Sequence, residues 1–102
     1  MAVAPGAARA RAVRDDQAVK HVTAAGLDQL DDMLCELRGV EGLREKSRGV
    51  FYRGSRAFLH FHEDPSGLYA DVRLSTEFER MRVTTKAERN RLLSAVRAAA
   101  RR

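Results

Sequence analysis

The chain has 102 residues, of which 44% are hydrophobic and 6% aromatic, and its formal net charge is +5. A chain of this length has room for one domain with a modest apolar core, which excludes a multidomain architecture. The single cysteine, Cys35, excludes an internal disulfide. No apolar run approaches the roughly 18 residues of a membrane helix. These features predict a reduced, cytoplasmic protein that has no membrane partner.

Charge is distributed unevenly along the chain. Residues 1–22 contain four basic and two acidic groups, residues 23–79 seven and eleven, and residues 80–102 eight and one. Such asymmetry is typical of a surface for an anionic partner. The alternative explanation of this asymmetry is that the basic C-terminal end offsets the charge of an acidic first helix within the same fold.

Residues 1–22 are predicted to form a flexible tail, and residues 23–102 a single domain. The first 20 residues contain Pro5, Gly6 and no Leu, Ile or aromatic side chain, so they bury too little to order themselves. The alanine and arginine bias of this segment is typical of a GC-rich bacterial genome.

The first helix is predicted over Gly26–Arg38, with Thr23 as its N-cap and Gly39 at its end. Leucines recur there at three- and four-residue steps, which places them on one apolar stripe. The stripe consists of Leu27, Leu30, Leu34 and Leu37.

Three or four antiparallel strands are predicted between this helix and the last one, after a connector over Val40–Arg48 that leaves room for a further short strand. A turn at Asp64–Gly67 is well marked, because Pro presets φ at its second position and Gly supplies a positive φ. The predicted strands are Gly49–Tyr52, Ser55–Glu63, Leu68–Leu74 and Phe78–Val83.

Thr85-Lys86-Ala87-Glu88 is a capping box that begins the last helix. Its apolar stripe is Leu92, Leu93, Val96, Ala99 and Ala100, and Arg89 is expected to extend its charged end from that stripe to solvent. The predicted fold is α+β, an antiparallel sheet of three to four strands with an N-terminal and a C-terminal helix packed on one face.

The hairpin around Asp64–Gly67 also predicts a register. A four-residue loop places His62 opposite Tyr69 and His60 opposite Asp71. One face of the hairpin is then apolar throughout, so a one-residue slip is strongly disfavoured. The other face, open to water or to a partner, carries Phe58, His60, His62, Tyr69, Asp71 and Arg73.

This polar face admits several interpretations. His60 and His62 project to the same side, so with Asp71 and a water they can form a metal site. Alternatively, Asp71 fixes the tautomer of His60 and makes it a general base, or the face is simply solvated. No nucleophile stands at a suggestive spacing and no Gly-rich phosphate loop exists, so we predict no cofactor and favour a protein that is not an enzyme.

The basic C-terminal region gives a second candidate surface. Its cations could lie along the phosphates of a nucleic acid, in which case affinity would depend steeply on salt. No recognition motif supports the reading of a base sequence. The candidate residues are Arg80, Arg82, Lys86, Arg97 and Arg101.

From Leu37 the run LRGVEGLREKSRGVFYRGSRAFLHFHED resembles the start of small bacterial YjbR-type proteins. In those proteins a helix ends at Leu-Pro-Gly-Val, acidic residues follow, and a hairpin carries an Arg-Gly-Lys-like turn. The matching positions are Leu37, Gly39, Val40, Glu41, Glu45 and the Arg53-Gly54 turn. The resemblance implies a compact α+β domain of largely undefined activity, with a fold like that of DNA-binding domains. This chain departs afterwards, because it lacks Trp and carries the histidine hairpin.

Taken together, the sequence predicts a non-enzymatic binding or accessory module that acts through the open face of its sheet. Its partner would be an unidentified protein or small molecule. Nucleic-acid binding through the basic C-terminal strand and helix is the first alternative, and a metal or hydrolytic site at His60, His62 and Asp71 is the second. The sequence leaves a monomer and a homodimer paired through a sheet edge equally open.

Overall fold

The computed structural model describes residues 21–102. These residues form an antiparallel meander of five strands, each paired with the strand that follows it in sequence, with helices before and after it. The predicted α+β class is confirmed, with one strand more than the sequence indicated. The strands are β1 (Leu43–Ser47), β2 (Val50–Arg53), β3 (Arg56–Asp64), β4 (Gly67–Val72) and β5 (Glu79–Arg82).

The N-terminal helical region consists of two helices, α1 (Ala24–Gln29) and α2 (Asp31–Arg38), where one helix was predicted. The chain leaves helical geometry at Leu30, whose side chain is nevertheless completely buried. Thr23 caps α1 as predicted, since its side chain accepts a hydrogen bond from the Gly26 N–H. The break preserves the predicted leucine stripe, because every member of that stripe is buried.

The extra strand, β1, lies in the predicted connector and pairs with β2. Its sequence, LREKS, contains one apolar residue, so alternation alone does not identify it. Gly49 makes the return turn with a φ of 81°, and Glu45 accepts hydrogen bonds from Gly49 N–H and from Arg38 on α2. Side-chain contacts therefore fix this edge strand where hydrophobic burial is small.

The β3–β4 hairpin has the predicted register, with His62 opposite Tyr69 and His60 opposite Asp71. Gly67 has a φ of 143°, and a Cβ there would collide with the Thr84 hydroxyl. That hydroxyl accepts from the Leu68 N–H, so the missing side chain allows the close approach that ties β4 to the segment before the last helix.

Phe58 is a correction to the predicted polar face. The β2–β3 register shifts so that Ala57 pairs with Tyr52 and Leu59 with Phe51, which leaves Phe58 as the extra residue of a β-bulge. Strict alternation fails at a bulge. Phe58 and Leu59 are both buried as a result, and Phe58, 3% exposed, belongs to the apolar core.

The last helix, α3 (Lys86–Ala100), begins with the predicted capping box between Thr85 and Glu88. Leu92, Leu93 and Val96 of its stripe pack with the helical leucines and with the apolar face of the sheet in one cluster. We call that side of the sheet the inner face. Arg89 does not extend to solvent as expected, because its guanidinium donates to the carbonyls of Val83 and Thr84.

Residues 1–20 of the predicted tail lie outside the described residues. Of the two tail residues that are described, His21 forms a β-bridge with His62 and Val22 packs against the core. Within the described part of the chain, no helix is long and apolar enough to cross a membrane.

Candidate binding face and its histidine–aspartate cluster

The side of the sheet opposite the helices, here called the outer face, is polar and aromatic. Residues paired directly across strands share a face, so the row His60–Asp71–Arg80 and the row His62–Tyr69–Arg82 both lie on it. The β1–β2 pair extends the face with Arg44 and Tyr52, and the Lys46 ammonium lies 4.5 Å from the Tyr52 ring centroid.

Asp71 is the centre of a hydrogen-bonded cluster on this face. Its Oδ2 lies 2.7 Å from His62 Nε2 and 3.6 Å from His60 Nε2. Arg80 binds it in two places, with Nε 2.8 Å from Oδ1 and Nη2 3.1 Å from Oδ2. This bidentate contact fixes the plane of the carboxylate as well as its charge.

Two opposing influences act on the pKa of Asp71. Burial, the largest single one, disfavours the charged form and by itself would raise the pKa. The contacts with His60, His62 and Arg80 together outweigh burial and lower the pKa well below its usual range. Asp71 is therefore an ionised carboxylate that can only accept hydrogen bonds.

The charge state of Asp71 determines the tautomer of His62. A carboxylate needs a donor, so the proton of His62 is on Nε2. The other nitrogen, Nδ1, is buried and has no partner among the described residues. An unprotonated Nδ1 without a partner costs less free energy than a buried N–H without an acceptor would. The tautomer with its proton on Nε2 is therefore favoured.

Phe78 is the one large hydrophobic residue of the described chain that is exposed, at 38%. It lies in the segment between β4 and β5, and its ring meets the His60 ring edge-on with centroids 5.3 Å apart. The Arg73 guanidinium stacks 4.3 Å from the Phe78 centroid and donates to the carbonyls of Ala57 and Thr76. An aromatic edge thus borders the cluster.

His21 joins the same face from the other side. Its ring is stacked on His62 with centroids 6.4 Å apart, so all three histidines of the chain are neighbours on the outer face. His21 sits next to His62 because the chain before α1 pairs with the free end of β3. No sequence spacing reveals this, since the two residues are far apart along the chain.

The donors for the predicted metal site do converge. One ligand atom from each of His60, His62 and Asp71 lies within 4.8 Å of the others. Two features oppose a cation there. Arg80 already occupies both oxygens of Asp71, and a metal on His62 Nε2 would force a proton onto the buried Nδ1, which has no acceptor among the described residues.

The predicted nucleic-acid residues do not form one surface. Arg80 and Arg82 lie on the outer face, whereas Arg97, on the helix that packs against the inner face, pairs with Glu36 of α2. Arg82 is also engaged, by Glu88 at 2.8 Å. A continuous basic stripe from β5 along α3 is therefore absent among these residues.

Of the six residues predicted for the open face, the structure brings five to it and removes Phe58. Sequence reasoning missed His21, Phe78 and Tyr52 and placed Arg80 only in the basic stripe. Arg80 could have been found by extending the hairpin register to the next strand. Phe78 carries a weaker signal, an aromatic residue among polar ones just before a strand.

Comparison with known proteins adds no assignment: no family model, curated protein or solved structure matches the chain. The resemblance to YjbR-type proteins therefore stays a prediction. Function has to be inferred from the outer face.

Proposed function

We propose that the protein is a non-enzymatic binding module that holds an anionic partner on the outer face of its sheet. The observation that carries the proposal is the set of cations on that face that form no ion pair with a carboxylate among the described residues. These are Arg44, Lys46 and Arg73.

Three carboxylates on or beside the face are already engaged. Asp71 is held by Arg80, and Glu88 by Arg82. At the hairpin turn, Asp64 accepts hydrogen bonds from Ser66. The exposed carboxylates of α1 and α2 are also largely paired, since Arg48 pairs with Asp28 and Asp31 and Arg97 pairs with Glu36. The unpaired cations give the outer face a net positive charge, and such a field attracts an anionic partner.

Recognition is favoured over chemistry by the state of the cluster. Both oxygens of Asp71 are bonded within the protein, and the unprotonated nitrogen of His62 is buried. A general base needs a free lone pair within reach of its substrate. The cluster instead provides a rigid, preorganised centre around which the cations and rings are placed.

The test uses inorganic polyphosphate as the probe and amide chemical shifts as the readout. We expect shifts confined to β1, β2 and the segment around Phe78, and an affinity that falls with added salt. Reversal of both cations in Arg44→Glu/Lys46→Glu should reduce the magnitude of the salt slope by about two, one for each lost contact.

The matched control is Arg91→Glu/Arg101→Glu on and just after α3, which changes the net charge equally. Both residues are exposed and form no ion pair among the described residues. If this control loses as much affinity as the outer-face pair, the binding site is not the outer face. Absence of any polyphosphate binding would also contradict the proposed function.

A second candidate function, a metal-binding site at His60, His62 and Asp71, is supported by the convergence of the three donors. Calorimetric titration of Zn²⁺ into untagged protein should then show one equivalent bound, with loss of binding in His60→Ala. His21→Ala is the control, because His21 is not among the converging donors. Heat that is absent, or equal in the two variants, would exclude this ligand set.

A further inference from the structure

We propose that the anionic partner is a single-stranded nucleic acid. Three neighbouring rings of the outer face would stack its bases, and the unpaired cations would contact its phosphates. The rings are Phe78, His60 and Tyr69. This inference rests on the proposed function, because it assigns a chemical class to the partner of the same face.

The three rings form a row. Phe78 and His60 have centroids 5.3 Å apart. Tyr69 is the diagonal neighbour of His60 across the β3–β4 pair, a relation that spans about 7–8 Å. Antiparallel sheets that bind single-stranded RNA stack two or three bases on aromatic side chains of the open face. The outer face offers that number of rings at adjacent positions.

The rings are held in place and remain partly exposed. Arg73 stacks on Phe78, yet 38% of this residue is exposed. The Tyr69 hydroxyl and the Ser66 hydroxyl are 2.6 Å apart, which fixes the ring direction. Stacking surfaces that are already oriented lose little conformational entropy when a base binds.

The shape of the face favours a single strand over a duplex. The helices α1, α2 and α3 all pack against the inner face. Among the described residues, the outer face is therefore a sheet from which no helix projects. Reading base edges in the major groove of a duplex requires a helix or β-ribbon that enters the groove, whereas an open sheet face with aromatic rings matches bases that are already unstacked. An acidic peptide would use the cations but leave the rings without partners.

The test measures fluorescence anisotropy of a labelled oligothymidylate of about 15 nucleotides. This length is near the largest number of nucleotides that a single OB-fold domain binds. Phe78→Leu keeps apolar volume but removes the π face, so affinity should fall about 5- to 150-fold, the range measured for loss of one stacked base. Phe78→Tyr keeps a ring and should retain affinity within about twofold. Because Phe78 is exposed, both variants should fold.

Inorganic polyphosphate separates this inference from the proposed function. It carries charge without bases, so its affinity should be the same for wild type and Phe78→Leu. The nucleic-acid inference is wrong if polyphosphate binds and the oligonucleotide binds no more tightly. It is also wrong if Phe78→Leu leaves the affinity for the oligonucleotide unchanged. In either case the proposed function, an anion-binding outer face, is retained. Tighter binding of a duplex of equal length also overturns the inference. If neither probe binds, both proposals fail.

Discussion

The two faces of the sheet are stabilised in different ways. The inner face is apolar and sealed by the helices, with Phe51 and Val72 at 0% exposure. The outer face is organised by directed polar contacts around Asp71. Hydrophobic burial depends on volume and area, whereas a half-buried carboxylate such as Asp71 depends on the identity of each partner. The first face therefore supports folding by burial, and the second keeps its rim exposed.

The largest expected effect is on the inner face. Leu59 is 1% exposed in the core, so Leu59→Ala should lower the free energy of unfolding by about 2–5 kcal/mol. Leu59→Met preserves volume and should cost less than about 1.5 kcal/mol. Urea denaturation measures both. Equal losses in the two variants would show that cavity formation is not what makes this position important.

The next effect is at the centre of the outer face. Asp71→Asn removes the charge that Arg80 and His62 contact, and we expect a loss of about 1–3 kcal/mol at neutral pH. The control, Glu41→Gln, alters an exposed carboxylate in the turn after α2 and should stay within about 0.5 kcal/mol.

This loss should depend on pH in a defined direction. The pKa of Asp71 is lowered on folding, so its stabilisation is present above its ordinary value of 3.8 and disappears as pH falls below that value. The difference in unfolding free energy between wild type and Asp71→Asn should therefore shrink below pH 3.8. A difference that stays constant down to the acid transition would contradict a stabilising role for the charge. The pKa of Glu45 is also lowered, chiefly by its hydrogen bond with Arg38, but it is common to both proteins and cancels in the comparison.

The smallest effect is expected at the rim of the outer face. Arg82 pairs with Glu88, but 43% of the Arg82 side chain is exposed. Arg82→Met should therefore change the free energy of unfolding by less than about 1 kcal/mol, because exposed ion pairs contribute little. Thermal denaturation at low and high salt checks this. A loss as large as that of Asp71→Asn would remove the distinction between the centre and the rim.

Much of the inner face was predictable. The leucine stripe of the first helical region, the capping box of α3 and the β3–β4 register follow from local spacing and turn chemistry. Each of these depends on residues close in sequence, so the physical signal is contained in a short window. The pairing of His60 with Asp71 on the outer face follows from the same register, because both positions are counted from the Asp64–Gly67 turn.

The rest carries no periodic signal along the chain. Strand β1 contains a single apolar residue, the chain leaves helical geometry at Leu30 within an unbroken leucine stripe, and the bulge that buries Phe58 interrupts the alternation of its strand. Tertiary structure also brought His21 beside His62.

The sequence by itself therefore determined the fold class, the apolar stripes and the polar character of the hairpin. Only the tertiary structure decided that His62, and not His60, makes the short hydrogen bond with Asp71, and that His21 lies beside it. Hydrophobic periodicity says which side of an element faces the core, but hydrogen bonds to Asp71 require distances and angles set by three adjacent strands. The tertiary structure also showed that the aromatic residue at the edge of the outer face is Phe78 and not the predicted Phe58.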